Sequence, residues 1–173
     1  DEKRDYCTEP LGRNGHPLVW AAAMTVSRDR TGRPGPATWQ GGAPPAGQEQ
    51  HPVTGVSWYE AAAYAAFRGK RLPTIYHWSW AARPDVGDAI TRTSNFSGTG
   101  PQPANHSRGL GPYGTVDMAG NVKEWVWNDT GSGKRYLLGG AWNESDYTFL
   151  WADLRDPFER SDIAGFRGMK DGR

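Results

Sequence analysis

The side chains that most often carry chemistry are few in this chain and lie far apart. Its single cysteine, Cys7, excludes an internal disulfide and any zinc site built from several cysteines. The four histidines are isolated, and no two have the three- or four-residue spacing that brings side chains together on a helix; they are His16, His51, His77 and His106. We therefore expect surface or capping roles for these histidines.

The densest group of potential binding side chains begins at Trp142 and runs through residues 142–167. Its first part mixes rigid aromatic residues with short polar ones, a mixture that gives protein binding surfaces much contact area at small entropic cost. From this pattern we predict a ligand-binding surface made of Asn143, Glu144, Ser145, Asp146, Tyr147 and Trp151. The alternative is that aromatic residues near a strand face inward, and we expect a core position for Trp142 and for Phe149.

Charge and hydropathy argue against two classes of partner. Twenty basic and nineteen acidic residues nearly cancel, so we expect no nucleic-acid partner. No apolar run reaches the roughly 18 residues that span a bilayer, so we expect no membrane insertion. The first residues, DEKRDYCTEP, lack the apolar region of a signal peptide. The compartment stays open, since a removed signal leaves no trace, although the visible sequence favours the cytoplasm.

Length and composition predict one domain spanning 1–173. Nine tryptophans with 23 glycines and 13 prolines favour a loop-rich fold held by large aromatic side chains. Residues 29–52 are dense in glycine and proline and should be irregular. The apolar run at 16–26 is too short for its periodicity to separate a helix from a strand.

Two helices are predicted between residues 57 and 83. Ser57 and Glu60 have the spacing of a capping box, so a helix should begin at Trp58 and stop near Gly69. We expect its buried face to hold Tyr59, Ala62, Ala63 and Ala66. A second helix, 75–83, should be capped by the preceding threonine and stopped by the following proline.

The second half of the chain should combine a long loop with a small sheet. Residues 84–113 have no sustained period and many turn-forming residues, which predicts a loop. Apolar segments at 122–127 and 136–138 enclose the turn sequence NDTGSGK, which predicts two strands of a hairpin.

Several motifs in a shared order resemble the formylglycine-generating-enzyme (sulfatase-modifying-factor) family. They are GNVKEW at 120–125, GGAW at 139–142, GFR at 165–167, and the segment 51–83. The resemblance implies an α+β, C-type lectin-like fold with two helices packed on a small antiparallel sheet. It also implies that residues 1–50 are a diverged or truncated N-terminal part. Some bacterial kinases with a fused domain of this family have similar GRPGPATW and GVSWYEAAAY segments, which implies a larger multidomain parent.

The resemblance further implies a structural calcium ion. The family's matching loop supplies carboxylates at Asp117 and Glu124 and backbone carbonyls at Gly120 and Val122. Such mixed oxygen ligands suit calcium better than magnesium. Asn95 resembles part of a second calcium site. The alternative is that the two acids are ordinary turn residues.

The family's catalytic copper site has no counterpart here. By alignment, Glu144 and Phe149 stand where catalytic members have two cysteines, and copper(I) is selected by such thiolates. We therefore expect no copper and a non-catalytic module that binds a protein or a small molecule, with a retroelement-diversified variable protein as one form of it. The alternative is an oxygen-dependent oxidase of the same family, related to the sulfoxide synthases, with another metal centre. Arg167 of the GFR motif should hold a structural ion pair.

Overall fold

The computed structural model describes residues 19–104 and 106–170, together with two short strands at 12–13 and 16–17. Cys7 lies outside the described residues. The helices and strands follow in chain order: β1 Gly12–Arg13, β2 His16–Pro17, α1 Trp20–Val26, α2 Trp58–Phe67, α3 Ile75–Ala82, α4 Gly87–Thr91, β3 Lys123–Asp129, β4 Arg135–Leu138, β5 Asp153–Arg155 and β6 Ala164–Phe166. Among the described helices, none has the length and apolar character needed to cross a bilayer.

Helix α2 begins where the sequence predicts. The Ser57 hydroxyl accepts the Glu60 backbone N–H at 3.2 Å, and the Glu60 carboxylate accepts the Ser57 backbone N–H at 2.8 Å, which completes the capping box. The predicted buried face is partly wrong. The fully covered positions are Trp58, Ala61 and Ala65, because the helix is rotated so that Trp58 enters the core.

Helix α3 also starts as predicted. Thr74 accepts the His77 backbone N–H, and its hydroxyl lies 2.5 Å from His77 Nδ1. In a capping box this position holds an acidic or amide side chain. Here a histidine stands in its place, and its ring contacts the capping hydroxyl. The helix ends at Ala82, one residue short of the predicted 75–83, and Arg83 follows in a left-handed conformation with φ 48° directly before Pro84.

The prediction of a loop throughout 84–113 is wrong at its start. Residues Pro84–Val86 form a 3-10 turn, and α4 follows at once. A Cβ on Gly87 would lie 3.0 Å from the Phe149 ring, and Ile90 is buried. Tertiary packing therefore orders a segment that is too short to show a helical period in the sequence.

The larger sheet has the strand order β5-β4-β3-β6. Strands β3 and β4 form the predicted hairpin, with Trp125 opposite Leu137 and a register shift before Asp129. Strand β5 continues the antiparallel pairing on the outer side of β4. Strand β6 pairs parallel to β3, with Glu124 opposite Gly165, so the sheet is mixed rather than purely antiparallel.

Neighbouring residues of the central strands point into two different hydrophobic clusters. Trp125 and Leu137 belong to a cluster with Trp58 and the rest of the buried face of α2. Val126 and Leu138 belong to a second cluster with Trp78 of α3. The alternation follows from the strand period of two, which sends successive side chains to opposite faces. Both faces of β3 are therefore covered.

Arg160 fixes the irregular segment before α2 to the rest of the molecule. Its guanidinium donates to the Glu60 carboxylate at 2.9 and 3.0 Å. It also donates to three backbone carbonyls, those of Val26, Arg28 and Gly35. One side chain thus connects the capped end of α2 to residues 26–35.

We predict that Arg160→Met destabilises the protein by roughly 3 kcal/mol, because it leaves the mostly buried Glu60 carboxylate without its charge partner. The first region to open should be residues 26–35, which would lose three hydrogen bonds. Urea denaturation gives the free energy of unfolding, and amide hydrogen exchange locates the opening.

Arg155→Met is the matched control. Arg155 is 42% exposed and pairs with Glu159 at 3.2 Å on the surface, so its loss should cost at most about 1 kcal/mol. Equal effects of the two substitutions, or unchanged exchange in 26–35, would contradict the role given to Arg160.

Candidate functional site

A two-glycine turn delivers the chain to the predicted binding segment. Gly139 and Gly140 have φ of 103° and 72°, which favour glycine. A Cβ on Gly139 would lie 3.0 Å from the Met118 carbonyl, and one on Gly140 would lie 2.6 Å from the Thr148 hydroxyl. The turn is therefore confined to glycine by both backbone conformation and space. Residues Asp146–Leu150 then form a 3-10 helix.

The position aligned with the first catalytic cysteine holds a carboxylate that is paired with a buried lysine. Glu144 Oε1 lies 2.7 Å from Lys123 Nζ, and the Lys123 side chain is only 6% exposed. Lys123 also pairs with Asp153 on β5. The second carboxylate oxygen of Glu144 accepts the Ala141 backbone N–H at 3.1 Å. Glu144 is therefore held inward by the fold, and only part of it is available to a ligand.

The Lys123 ammonium also affects the acidity of its second partner. Burial opposes ionisation of Asp153, but the hydrogen bond and charge of Lys123 outweigh it, so the pKa of this carboxyl lies below its ordinary value. At pH values above the ordinary carboxyl pKa, this pair therefore stabilises the fold. Its contribution is lost as the pH falls through the lowered pKa that Asp153 has in the folded protein.

The position aligned with the second cysteine is part of the core. Phe149 is buried, packs 6.1 Å from the Trp78 ring, and contacts Gly87 of α4. This placement confirms the prediction of an inward-facing Phe149. Within the described residues, no three His, Cys, Asp or Glu side chains come together in a group that could hold a metal ion.

The residues predicted to bind calcium lie beside a buried ion pair. Arg167 donates to both carboxylate oxygens of Glu124, each at 2.6 Å, and the Trp78 indole N–H donates to the same carboxylate at 2.8 Å. Burial opposes the charge on Arg167, but Glu124 raises the pKa of the guanidinium above its ordinary value. The predicted structural ion pair of Arg167 is confirmed.

Both carboxylate oxygens of Glu124 already accept from Arg167, so a calcium ion bound by Glu124 would share this carboxylate with the guanidinium. Two of the other predicted ligands, Asp117 and Asn95, have structural partners of their own. Asp117 accepts the Ser107 hydroxyl, and its backbone carbonyl accepts from Arg167. Asn95 pairs with Gly120 in a short parallel bridge. Calcium binding by oxygens of Asp117, Gly120, Val122, Glu124 and Asn95 stays a prediction.

The predicted ligand-binding residues are mostly exposed. Tyr147 and Trp151 are 55% and 63% exposed, and their rings contact each other at 5.0 Å. Asn143, Ser145 and Asp146 are also exposed, and only Glu144 turns inward. Leu150, 64% exposed, extends the same face and was missed by the sequence analysis. The signal for Leu150 was its position three residues after Tyr147, which places both on one side of a 3-10 turn.

Similarity to solved structures identifies the class of fold. CarF superposes with a TM-score of 0.59 at 22% identity, over 86% of this chain and 78% of CarF. Treponema denticola variable protein 1 gives a TM-score of 0.57 at 21% identity, over 72% of this chain and 73% of that protein. At these identities the likeness shows the fold alone. The chain is an α+β, C-type lectin-like domain of the formylglycine-generating-enzyme type.

Sequence similarity gives the family. The family described as Sulfatase-modifying factor enzyme 1-like domain matches residues 14–172. The chain belongs to this family, as the GNVKEW, GGAW and GFR motifs indicated.

Three relatives show how this family occurs. Serine/threonine-protein kinase pkn1 of Chlamydia caviae is 42% identical over 87 residues, which cover 46% of this chain and 14% of the kinase. Inactive C-alpha-formylglycine-generating enzyme 2 of Mus musculus is 34% identical over 115 residues, which cover 53% of this chain and 37% of that protein. The formylglycine-generating enzyme of Thermomonospora curvata is 35% identical over 101 residues, which cover 43% of this chain and 32% of that enzyme. The matched parts thus span well under half of each relative.

We predict that Arg167→Met lowers the free energy of unfolding by roughly 3–5 kcal/mol, because it leaves the buried Glu124 carboxylate without its counter-charge. The double substitution Glu124→Gln and Arg167→Met should be more stable than Arg167→Met alone, since it removes the orphaned charge while keeping an acceptor for Trp78. Urea denaturation of the three variants and the wild type measures both effects. A double variant no more stable than the single one would contradict this account.

Proposed function

We propose that this domain is a non-catalytic binding module whose contact surface is the 143–151 face, defined as the exposed side chains of Asn143, Ser145, Asp146, Tyr147, Leu150 and Trp151. One observation carries the proposal. The two positions aligned with catalytic cysteines are used for an ion pair and for core packing, while the residues between and after them point outward.

The composition of the 143–151 face favours a protein partner. Tyr147, Leu150 and Trp151 provide apolar area, and both aromatic side chains have few rotatable bonds to immobilise. The surrounding asparagine, serine and aspartate can form hydrogen bonds at the edge of such a contact. Because Phe149 is buried and the glycine turn is confined, the face needs little rearrangement to bind.

The names of similar proteins are consistent with a non-catalytic role and specify no ligand. One is named an inactive formylglycine-generating enzyme, one is a variable protein by name, and one is a kinase that is much longer than its matched segment. We infer that this domain is part of a larger protein, and that the 143–151 face contacts either another protein or another domain of that larger protein.

We predict that the Tyr147→Ala and Trp151→Ala double substitution weakens binding of a partner protein by at least about thirtyfold, the equivalent of losing a 2 kcal/mol hot spot. Affinity capture from the native host with the wild-type domain, followed by titration of the captured partner against both forms, measures the loss. Folding should be unaffected, because both side chains are exposed.

Two controls separate binding from folding. Tyr76→Ala removes an exposed aromatic side chain from α3 and should leave partner binding unchanged. Trp125→Ala removes a fully buried side chain and should lower the free energy of unfolding by roughly 3–5 kcal/mol. Partner binding that survives loss of both Tyr147 and Trp151 would overturn the proposed contact surface.

A further inference from the structure

A separate pocket lies between the irregular segment 38–54 and the start of the 142–151 segment. Its volume is about 300 Å³, at the lower end of the range for small-molecule sites. Two indoles and four proline rings line its walls: Trp39, Trp142, Pro44, Pro45, Pro52 and Pro101. Its lining includes no member of the 143–151 face, so the pocket is independent of the contact surface proposed above.

Two buried polar atoms in this lining lack hydrogen-bond partners. They are His51 Nδ1 and Trp142 Nε1. A buried polar atom without a partner costs about 1–3 kcal/mol, so such atoms are rare in folded proteins and usually mark a bound water or ligand. Both unpaired atoms belong to residues of one pocket, which favours a common cause.

Among the described residues, the indoles of the buried tryptophans all have hydrogen-bond partners. Trp58 Nε1 donates to the Val126 carbonyl, Trp78 Nε1 to Glu124, and Trp125 Nε1 to the Val56 carbonyl. Trp142 is half-buried, so the expected core position is wrong, and its indole N–H has no partner. Its backbone is nevertheless held, since the backbone N–H donates to the Asn121 carbonyl and the backbone carbonyl accepts from Gly98. The fold therefore fixes the backbone that carries the unpaired indole.

The unpaired atoms and the charged residues at the rim of the pocket together determine which kind of ligand can bind. An indole N–H can only donate, so the buried end of the ligand must carry an acceptor. Arg30, Glu49 and Asp162 provide one positive and two negative charges among the lining residues. An anionic ligand would meet two carboxylates, and a cationic one would meet the indole N–H. A neutral ligand with both an acceptor and a donor fits best.

We propose that the pocket binds a small neutral ligand that carries an amide. The amide carbonyl accepts from Trp142, the amide N–H or a neighbouring hydroxyl donates to a rim carboxylate, and the apolar remainder packs against the indole and proline rings. An N-acetylated sugar and a capped amino-acid amide share this chemistry. An extended peptide is less well suited, because peptide recognition by aromatic and proline residues uses grooves rather than one pocket of this size.

The test uses nuclear magnetic resonance of the ¹⁵N-labelled domain with four probes. N-acetylglucosamine and N-acetylprolinamide carry an amide, glucose is a sugar without one, and acetate is an anion without an N–H. The amide probes should shift the Trp142 indole N–H resonance in a saturable manner, with a dissociation constant of about 1 mM or below. Which of the two binds distinguishes a sugar source from an amino-acid source.

Two variants locate the binding. Trp142→Phe keeps a ring but removes the donor, and it should weaken binding of the amide probes by about fivefold or more. Because this variant has no indole resonance, its binding is followed by the backbone amide resonances of the other lining residues, as is that of the wild type for comparison. Asp162→Ala, at an exposed position on the rim of the pocket, should also weaken binding of the amide probes. Its effect does not depend on the substitution of a buried side chain. Trp80→Phe, at a 69% exposed indole outside the pocket, should leave binding unchanged and supplies the matched control.

The outcomes that overturn the proposal are distinct. If neither amide probe shifts the Trp142 resonance, the proposal is overturned and water is left as the occupant. Glucose or acetate binding as tightly as the amide probes overturns the amide assignment. Binding that Trp142→Phe and Asp162→Ala both leave unchanged overturns the location. None of these results bears on the 143–151 face, whose partner is titrated separately.

Discussion

The buried pair between Arg167 and Glu124 is the constraint on which much of the domain depends. Glu124 lies on the central strand β3, and Arg167 follows directly after β6. The same carboxylate accepts from Trp78 of α3, and the same guanidinium donates to the carbonyls of Val116 and Asp117. Two strands, a helix and a loop thus meet at one ion pair, and removal of Arg167 would leave the buried Glu124 carboxylate without its counter-charge. Any metal in the adjacent loop must be compatible with this fixed cation.

Strand β3 carries a second ion pair on its other side. Lys123 and Glu124 are consecutive, so their side chains point to opposite faces of the sheet, and each finds its partner in the last third of the chain. Lys123 holds Glu144 and Asp153, which fixes the base of the binding segment to β5. At the position that the sequence analysis aligned with a catalytic cysteine, the structure thus has a glutamate whose charge is matched by a lysine on the central strand.

The predictable parts of this fold were those that short-range chemistry determines. The capping box of Ser57 and Glu60, the proline that stops α3 and the turn of the β3–β4 hairpin all act within a few residues. Helix α4 could not be predicted, because its order comes from Phe149, about sixty residues away, packing on Gly87. The partners of Lys123 and Glu124 were equally hidden. Adjacent opposite charges in an apolar strand indicate buried ion pairs, but sequence alone does not select which distant residues complete them.

The glycine turn explains how one segment can present two different surfaces. Gly139 and Gly140 cannot accept a side chain, so the chain leaves the sheet in one direction only. Trp142 follows at once, and its backbone bonds to Asn121 and Gly98 hold its indole in the lining of the pocket. A few residues later, the buried Phe149 holds the 3-10 turn against α4, which leaves Tyr147, Leu150 and Trp151 on the outside. Substitutions at these exposed positions change the surface without touching the core, because the residues that set the path of the chain are separate from those that it displays. A scaffold with this separation can change the residues that it displays and still keep one defined path of the chain, because Gly139, Gly140 and Phe149 set that path.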